Sequence, residues 1–207
     1  MGLGQDQNNA NLAILRRISY WWLPAVLIIS SGLIELFGDA GRSFLRFDRA
    51  AISLAELWRL ISGHFVHLGS NHFFLNAFGL ILVWLFVGMH FTVRQWLIVI
   101  VVSIAGIDAG LWFFDPQLTW YVGMSGFLHG MLAAGIVKGF QAVPREAMLI
   151  GAAVLMKIMF EQLIGPLPGS EQSAGGDVVV NAHLYGVLAG VAAAAVFWNR
   201  DKAKSPI

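Results

Sequence analysis

Apolar runs close to twenty residues long recur along this chain, and their recurrence restricts the possible folds more than any other feature. The runs cover residues 20–37, 70–89, 93–114, 121–140, 147–164 and 178–198, with short polar joints between them. A helix needs about 20 mainly apolar residues to cross a bilayer, and inside hydrocarbon only helices and closed barrels satisfy their own backbone hydrogen bonds. With 57% of its 207 residues hydrophobic and only 12% charged, the chain is more apolar than a soluble core of this size requires. The expected fold is all-α and polytopic, a bundle of six transmembrane helices over residues 20–198. A cytoplasmic segment, 1–19, should precede it and a cytoplasmic tail, 199–207, should follow. Arg16 and Arg17 give the first run the look of a signal peptide, but no Ala-x-Ala cleavage signal follows, so a retained anchor is expected. The first loop, 38–69, is too charged to cross and too apolar to float free. Its amphipathic stretch 52–61 is expected to lie on the membrane surface.

Basic residues set the orientation. With the N-terminus inside, Arg16, Arg17, Arg94, Lys138, Arg145, Arg200, Lys202 and Lys204 all fall on the cytoplasmic side, eight against the four of the first loop, Arg42, Arg46, Arg49 and Arg59. Both termini should therefore be cytoplasmic. Trp21, Trp22, Trp96, Trp112, Trp120, Tyr121 and Trp198 fall near run ends, as an interfacial aromatic belt requires. The net charge of +1 offers no basic surface for nucleic acid, so the partner implied is the lipid bilayer. Absent cysteine, any covalent chemistry must use another nucleophile.

Polar residues inside such runs are the candidates for function. The second, fourth and sixth runs all pass from outside to inside, so positions near the start of each share one depth. At about 1.5 Å per residue, Ser125 lies roughly 6 Å below the start of its run, His183 roughly 7 Å, and His72 and Asn76 roughly 3 and 9 Å. The four-residue spacing of His72 and Asn76 puts them on one helix face. Gly126 with Gly130, and Gly186 with Gly190, have the small-xxx-small spacing that lets helices approach closely in lipid. A serine needs a base to become nucleophilic, and neutral histidine suits that task. Ser125 and His183 supply the pair, while the N-terminal N–H groups at Ser125 and the side chains of His72 and Asn76 can face a developing oxyanion. No buried carboxylate stands out to orient His183, so a Ser–His dyad is expected.

The segment Gly123-Met124-Ser125-Gly126 resembles the Gly-x-Ser-Gly motif of the rhomboid intramembrane serine proteases. His72-x-x-x-Asn76 is similar to their second-helix motif, Ala182-His183-x-x-Gly186 to their sixth-helix motif, and Trp58-Arg59 to their first-loop pair. The resemblance covers residues 58–198. It implies a serine endopeptidase with Ser125 as nucleophile, His183 as base and then acid, His72 and Asn76 lining the oxyanion hole, and Gly123, Gly126, His129 and Gly186 in support. His129 stands where many members have a tyrosine stacked on the base. The Gly-x-Ser-Gly-x-x-His-Gly run, the short length and the Lys157-x-x-x-Glu161-Gln162 stretch are similar to the bacterial rhombosortases. That likeness implies membrane-anchored or C-terminally tagged exported proteins as substrates, loss of a C-terminal glycine-glycine sorting signal, and residence in a bacterial inner membrane with the site opening to the periplasm. The alternative is a non-catalytic relative that binds transmembrane segments.

Several other groups carry expectations. Lys157 and Glu161 are spaced to neutralise each other within the fifth run. His129 is expected to pack on His183. Asp108 should be hydrated or capping. His64 and His67 lack a third ligand at suitable spacing, so neither a metal nor a cofactor is expected. The Gly- and Pro-rich segment 165–177 should resist regular structure and form either a movable cap over the site or a plain connector.

Overall fold

A computed structural model of the chain describes residues 20–202, with side chains through 197. The expected segment 1–19 with Arg16 and Arg17, residues 203–207 with Lys204, and the side chains of Trp198, Arg200 and Lys202 lie outside the described residues. The rest is mostly helical, and each of the six apolar runs contains a helix. Three are long and apolar enough to cross a membrane on their own: α5 (Ser70–Val87, followed by a 3-10 turn to His90), α6 (Val93–Phe114) and α10 (Val180–Lys202). A fourth candidate is broken. Helix α1 (Tyr20–Glu35) meets α2 (Gly38–Leu45) at 114°, across Gly38 with φ +57°, a conformation that favours glycine.

The remaining two helices fall short for different reasons. Helix α8 (Pro144–Leu163) carries Arg145, Glu146, Lys157 and Glu161. Helix α7 (Ser125–Gly139) has only 15 residues, because the run expected from 121 does not begin as a helix. Tyr121 instead lies in a two-residue strand, β2 (Trp120–Tyr121), paired antiparallel with β1 (Phe47–Asp48). Gly123 then turns with φ +117°, donating its N–H to Gly63 O at 3.1 Å.

The first loop is more structured than a surface-lying amphipathic helix. Stretch 52–61 is broken between α3 (Arg49–Ser53) and α4 (Arg59–Ser62), with Ala55 at φ +74° in the turn. Arginines tie this loop down. The Arg49 guanidinium lies 4.7 Å from the Trp112 ring centroid and donates to the carbonyls of Leu111 and Trp112 in the last turn of α6 and of Asp115 and Leu118 just beyond it. Arg59, buried, donates to Ser43 O, Arg46 O and Glu56. Arg42 pairs with Glu35 and Asp39, and Arg46 with Asp48. The four basic residues that ran against the positive-inside count all have structural partners.

The centre of the bundle is a seam in which α7 and α10 touch backbone to backbone. A methyl group added at Gly186 would strike the carbonyl oxygen of Gly126, and one at Gly190 that of Gly130. Only glycine fits such contacts. Around them Trp84, Trp96, Phe127, Met131, Ile107 and Leu111 are fully buried. Away from the seam, Phe78, Leu85, Val101, Leu149, Leu155 and Val196 are exposed, a continuous apolar exterior that water would penalise and lipid does not.

Candidate active site

Helix α7 begins at Ser125, so its nucleophilic candidate sits where unpaired N–H groups and the helix dipole favour negative charge. Tyr121 Oη fixes the turn before it by donating to Gly123 O at 2.6 Å. A Cβ at Gly123 would come within 2.8 Å of His72 Cε1, so glycine here allows the α5 histidine to lie against the serine turn. Across the glycine seam, Ser125 Oγ lies 3.0 Å from Nε2 of His183, which α10 carries one turn before Gly186. The imidazole is buried, at 5% exposure.

The ring of His129 stacks on that of His183, with centroids 4.3 Å apart and planes 25° from parallel. His129 Nδ1 donates to Ser125 O at 2.7 Å, since a carbonyl can only accept. His72 Nδ1 accepts from Leu68 N at 3.2 Å, so the neutral ring carries its proton on Nε2 as a free donor. Asn76 Nδ2 donates to His72 O at 2.9 Å, leaving its second N–H available. Ser125, His183, His72, Asn76 and His129 all line one cavity of about 420 Å³.

The expected absence of a carboxylate beside His183 is corrected. Glu161 Oε2 lies 2.9 Å from His183 Nδ1, and Glu161 is 3% exposed. Its other oxygen accepts from Lys157 Nζ at 2.6 Å, so the mutual pairing expected for these two residues is present but does not exhaust the carboxylate. Lys157 Nζ also stands 3.4 Å from His183 Nδ1. A signal for this existed. Measured from the outer end of its run at 164, Glu161 lies roughly 4 Å below the face, in the same layer as His183. Pairing with the i,i+4 lysine is by itself a sufficient account of its charge, so spacing along α8 does not point to the second contact.

Two further expectations change. Asp108 is buried rather than capping, and it accepts from His64 Nε2 at 3.1 Å. Segment 165–177 holds a short helix, α9 (Ser170–Ala174), between Gly169 and Gly175, both at φ +81°. Leu167, Ser170 and Ala174 from this segment close one side of the cavity. His67, in the loop before α5, is fully buried. Burial, then the neighbouring His72 and Arg42, hold its imidazole down at about 3, so it is neutral at physiological pH. Among the described residues, no three His, Cys, Asp or Glu side chains gather as a metal site.

The site thus offers a hydroxyl at a helix N-terminus, a histidine in contact with it, and free donors from α5 across a shared cavity. Residues 54–200 match the family model described as Rhomboid domain. No curated protein matches the chain. Rhomboid proteins are typically serine proteases acting on membrane proteins within the bilayer, and inactive relatives exist. With more than two thirds of its length matched and its helices apolar on the outside, the chain is an integral membrane protein of the rhomboid family.

Proposed function

We propose that this protein is an intramembrane serine endopeptidase, and the observation that carries the reading is the 3.0 Å contact between Ser125 Oγ and His183 Nε2 at the start of α7. A substrate segment enters beside α5 and α8 and presents an extended peptide bond, because helical peptide bonds are shielded. Ser125 Oγ attacks the carbonyl carbon as its proton passes to His183 Nε2. The oxyanion accepts from the α7 N–H groups, His72 Nε2 and the free Asn76 N–H, each such donor lowering the barrier by about 3 to 4 kcal/mol. His183 then protonates the leaving amine, and water or another nucleophile releases the acyl group. The chemistry calls on no cofactor.

The wider setting belongs to the same proposal. The bundle over 20–198 crosses the membrane six times with both termini cytoplasmic. The count of eight inward basic residues supports this, and so does the engagement of the other four in loop contacts. The site then opens to the periplasmic side of a bacterial inner membrane. His129 on the base and the Lys157-x-x-x-Glu161-Gln162 stretch support the rhombosortase-like substrate class, exported proteins whose C-terminal glycine-glycine sorting signal is removed. A non-catalytic relative would have no need to keep serine and histidine in contact.

Labelling of the purified protein by a fluorophosphonate tests the proposal. Wild type should label, and Ser125→Ala and His183→Ala should not. A folded wild type that leaves an accessible probe unreacted would sink the protease reading in favour of the binding relative.

A further inference from the structure

We infer that Glu161 is the positioning residue of this site, selecting through Oε2 the His183 tautomer that can act as a base, while Lys157 supplies its counter-charge. The inference rests on the protease reading above. A neutral imidazole carries one proton, and the two tautomers do opposite things here. With the proton on Nδ1, the ring donates to Glu161, and the Nε2 lone pair faces Ser125 Oγ, ready to take its proton. With the proton on Nε2, the ring can only donate toward Ser125 and is useless as a base, while Nδ1 becomes an acceptor.

Both partners that could choose between these states stand beside Nδ1. Glu161 Oε2 can only accept and favours the active form; Lys157 Nζ can only donate and favours the inactive one. The distances decide between them. Oε2 is at 2.9 Å, a normal charge-assisted length, whereas Nζ is at 3.4 Å and is already committed to Oε1 at 2.6 Å. The carboxylate therefore does two jobs with two oxygens: it holds the base in the right tautomer and draws the competing ammonium away from it. When Ser125 gives up its proton, the imidazolium keeps its Nδ1 proton facing Glu161, whose charge stabilises it. The other titratable groups facing His183 are His72 from α5 and His129 from α7. Neither reaches Nδ1: His72 Nδ1 holds Leu68 N, and His129 Nδ1 holds Ser125 O.

The sequence expectation of simple mutual neutralisation makes a different prediction from this arrangement. Glu161→Gln keeps shape and hydrogen-bonding capacity, but its single oxygen will be claimed by the lysine ammonium, turning the amide NH2 toward Nδ1 and forcing the inactive tautomer. Fluorophosphonate labelling of Glu161→Gln should slow by at least about 100-fold, as expected where a base is held in the wrong tautomer. Adding Lys157→Met frees the amide oxygen to face Nδ1, so Glu161→Gln/Lys157→Met should label about tenfold faster than Glu161→Gln alone. A purely structural ion pair predicts no recovery. In detergent, 15N-histidine spectra should show His183 protonated on Nδ1 in wild type and on Nε2 in Glu161→Gln, a readout independent of activity. Labelling of Glu161→Gln at the wild-type rate, a double variant no faster than the single, or an unchanged tautomer would each overturn the inference and leave the Ser125–His183 reading intact. A wild type that does not label at all would overturn both.

Discussion

The two walls that meet at His183 are built on opposite principles. On one side, α7 and α10 meet through glycines, and the Ser125–His183 distance follows from carbonyl oxygens resting where side chains would be. On the other side stands α8, which buries Ala147, Ile158 and Glu161 but turns Leu149, Leu155, Met156, Met159 and Leu163 outward. It reaches the site through polar side chains. The first wall fixes geometry by excluded volume, which is insensitive to charge and intolerant of a single methyl. The second fixes it by hydrogen bonds and charge, and it can yield in volume while its polar contacts stay strict. A bilayer protein can thus hold its reacting pair rigidly and still leave one side able to admit a bulky partner.

Adding one methyl group to each wall in turn is the sharpest way to break this contrast. Gly186→Ala should be the most damaging, because the seam must open to accommodate it. A misplacement of about 1 Å can cost 10²-fold in rate, and overpacking about 1–3 kcal/mol in stability. Near-complete loss of fluorophosphonate labelling with a lowered melting temperature in detergent would fit; full labelling would show that the seam does not set the distance. Gly123→Ala should come next. It strains a φ of +117° by about 1–3 kcal/mol and pushes on His72, lowering the labelling rate up to about 100-fold by disturbing one oxyanion donor.

His129→Ala removes the stacked ring from the base while leaving the seam untouched. A stacked pair contributes about 0.5–1.5 kcal/mol, so a loss in labelling of about tenfold or less is expected from a rate titration. A total loss would instead assign the ring a direct chemical part. Smallest of all should be Gly151→Ala on α8, whose new Cβ meets only Ile136 Cγ2 at 3.3 Å, a contact relieved by a shift of a few tenths of an ångström. Its thermal midpoint should correspond to a change within about 0.5 kcal/mol, with labelling unaltered. A large effect there would mean that α8 is packed as strictly as the seam.

Which parts of this were legible in the sequence follows from the same contrast. Ser125, His183, His72 and Asn76 could be grouped by counting along helices, and the glycine spacings pointed to where two helices touch, because both depend on rise per residue and side-chain volume alone. Glu161 escaped since its pairing with Lys157 was already a sufficient account of a buried charge, and spacing along one helix says nothing of a third partner on another. The start of α7 is not legible in the run, because Tyr121 and Val122 are apolar enough to extend it, and only the pairing of Tyr121 with Phe47, remote in sequence, takes them out of the helix. The His64–Asp108 contact is likewise tertiary. Membrane crossing by α1, α7 and α8 was inferred from run length, yet a bend, a short helix and a set of charges make each an imperfect span.

The brevity of α7 has an effect on the solvent around it. Fifteen residues rise about 22 Å, whereas the hydrocarbon layer is about 30 Å thick. In the six-crossing arrangement proposed here, the mismatch must be made up by a dent in the leaflet or by a hollow in the protein, and a shortfall at the outer end of α7 falls at Ser125. On the protease reading proposed above, the Ser125 hydroxyl then meets water within the plane of the membrane, and a substrate helix long enough for ordinary bilayer finds its upper turns in a medium that no longer protects their hydrogen bonds. On that reading, proteolysis begins with a change in the dielectric around the substrate.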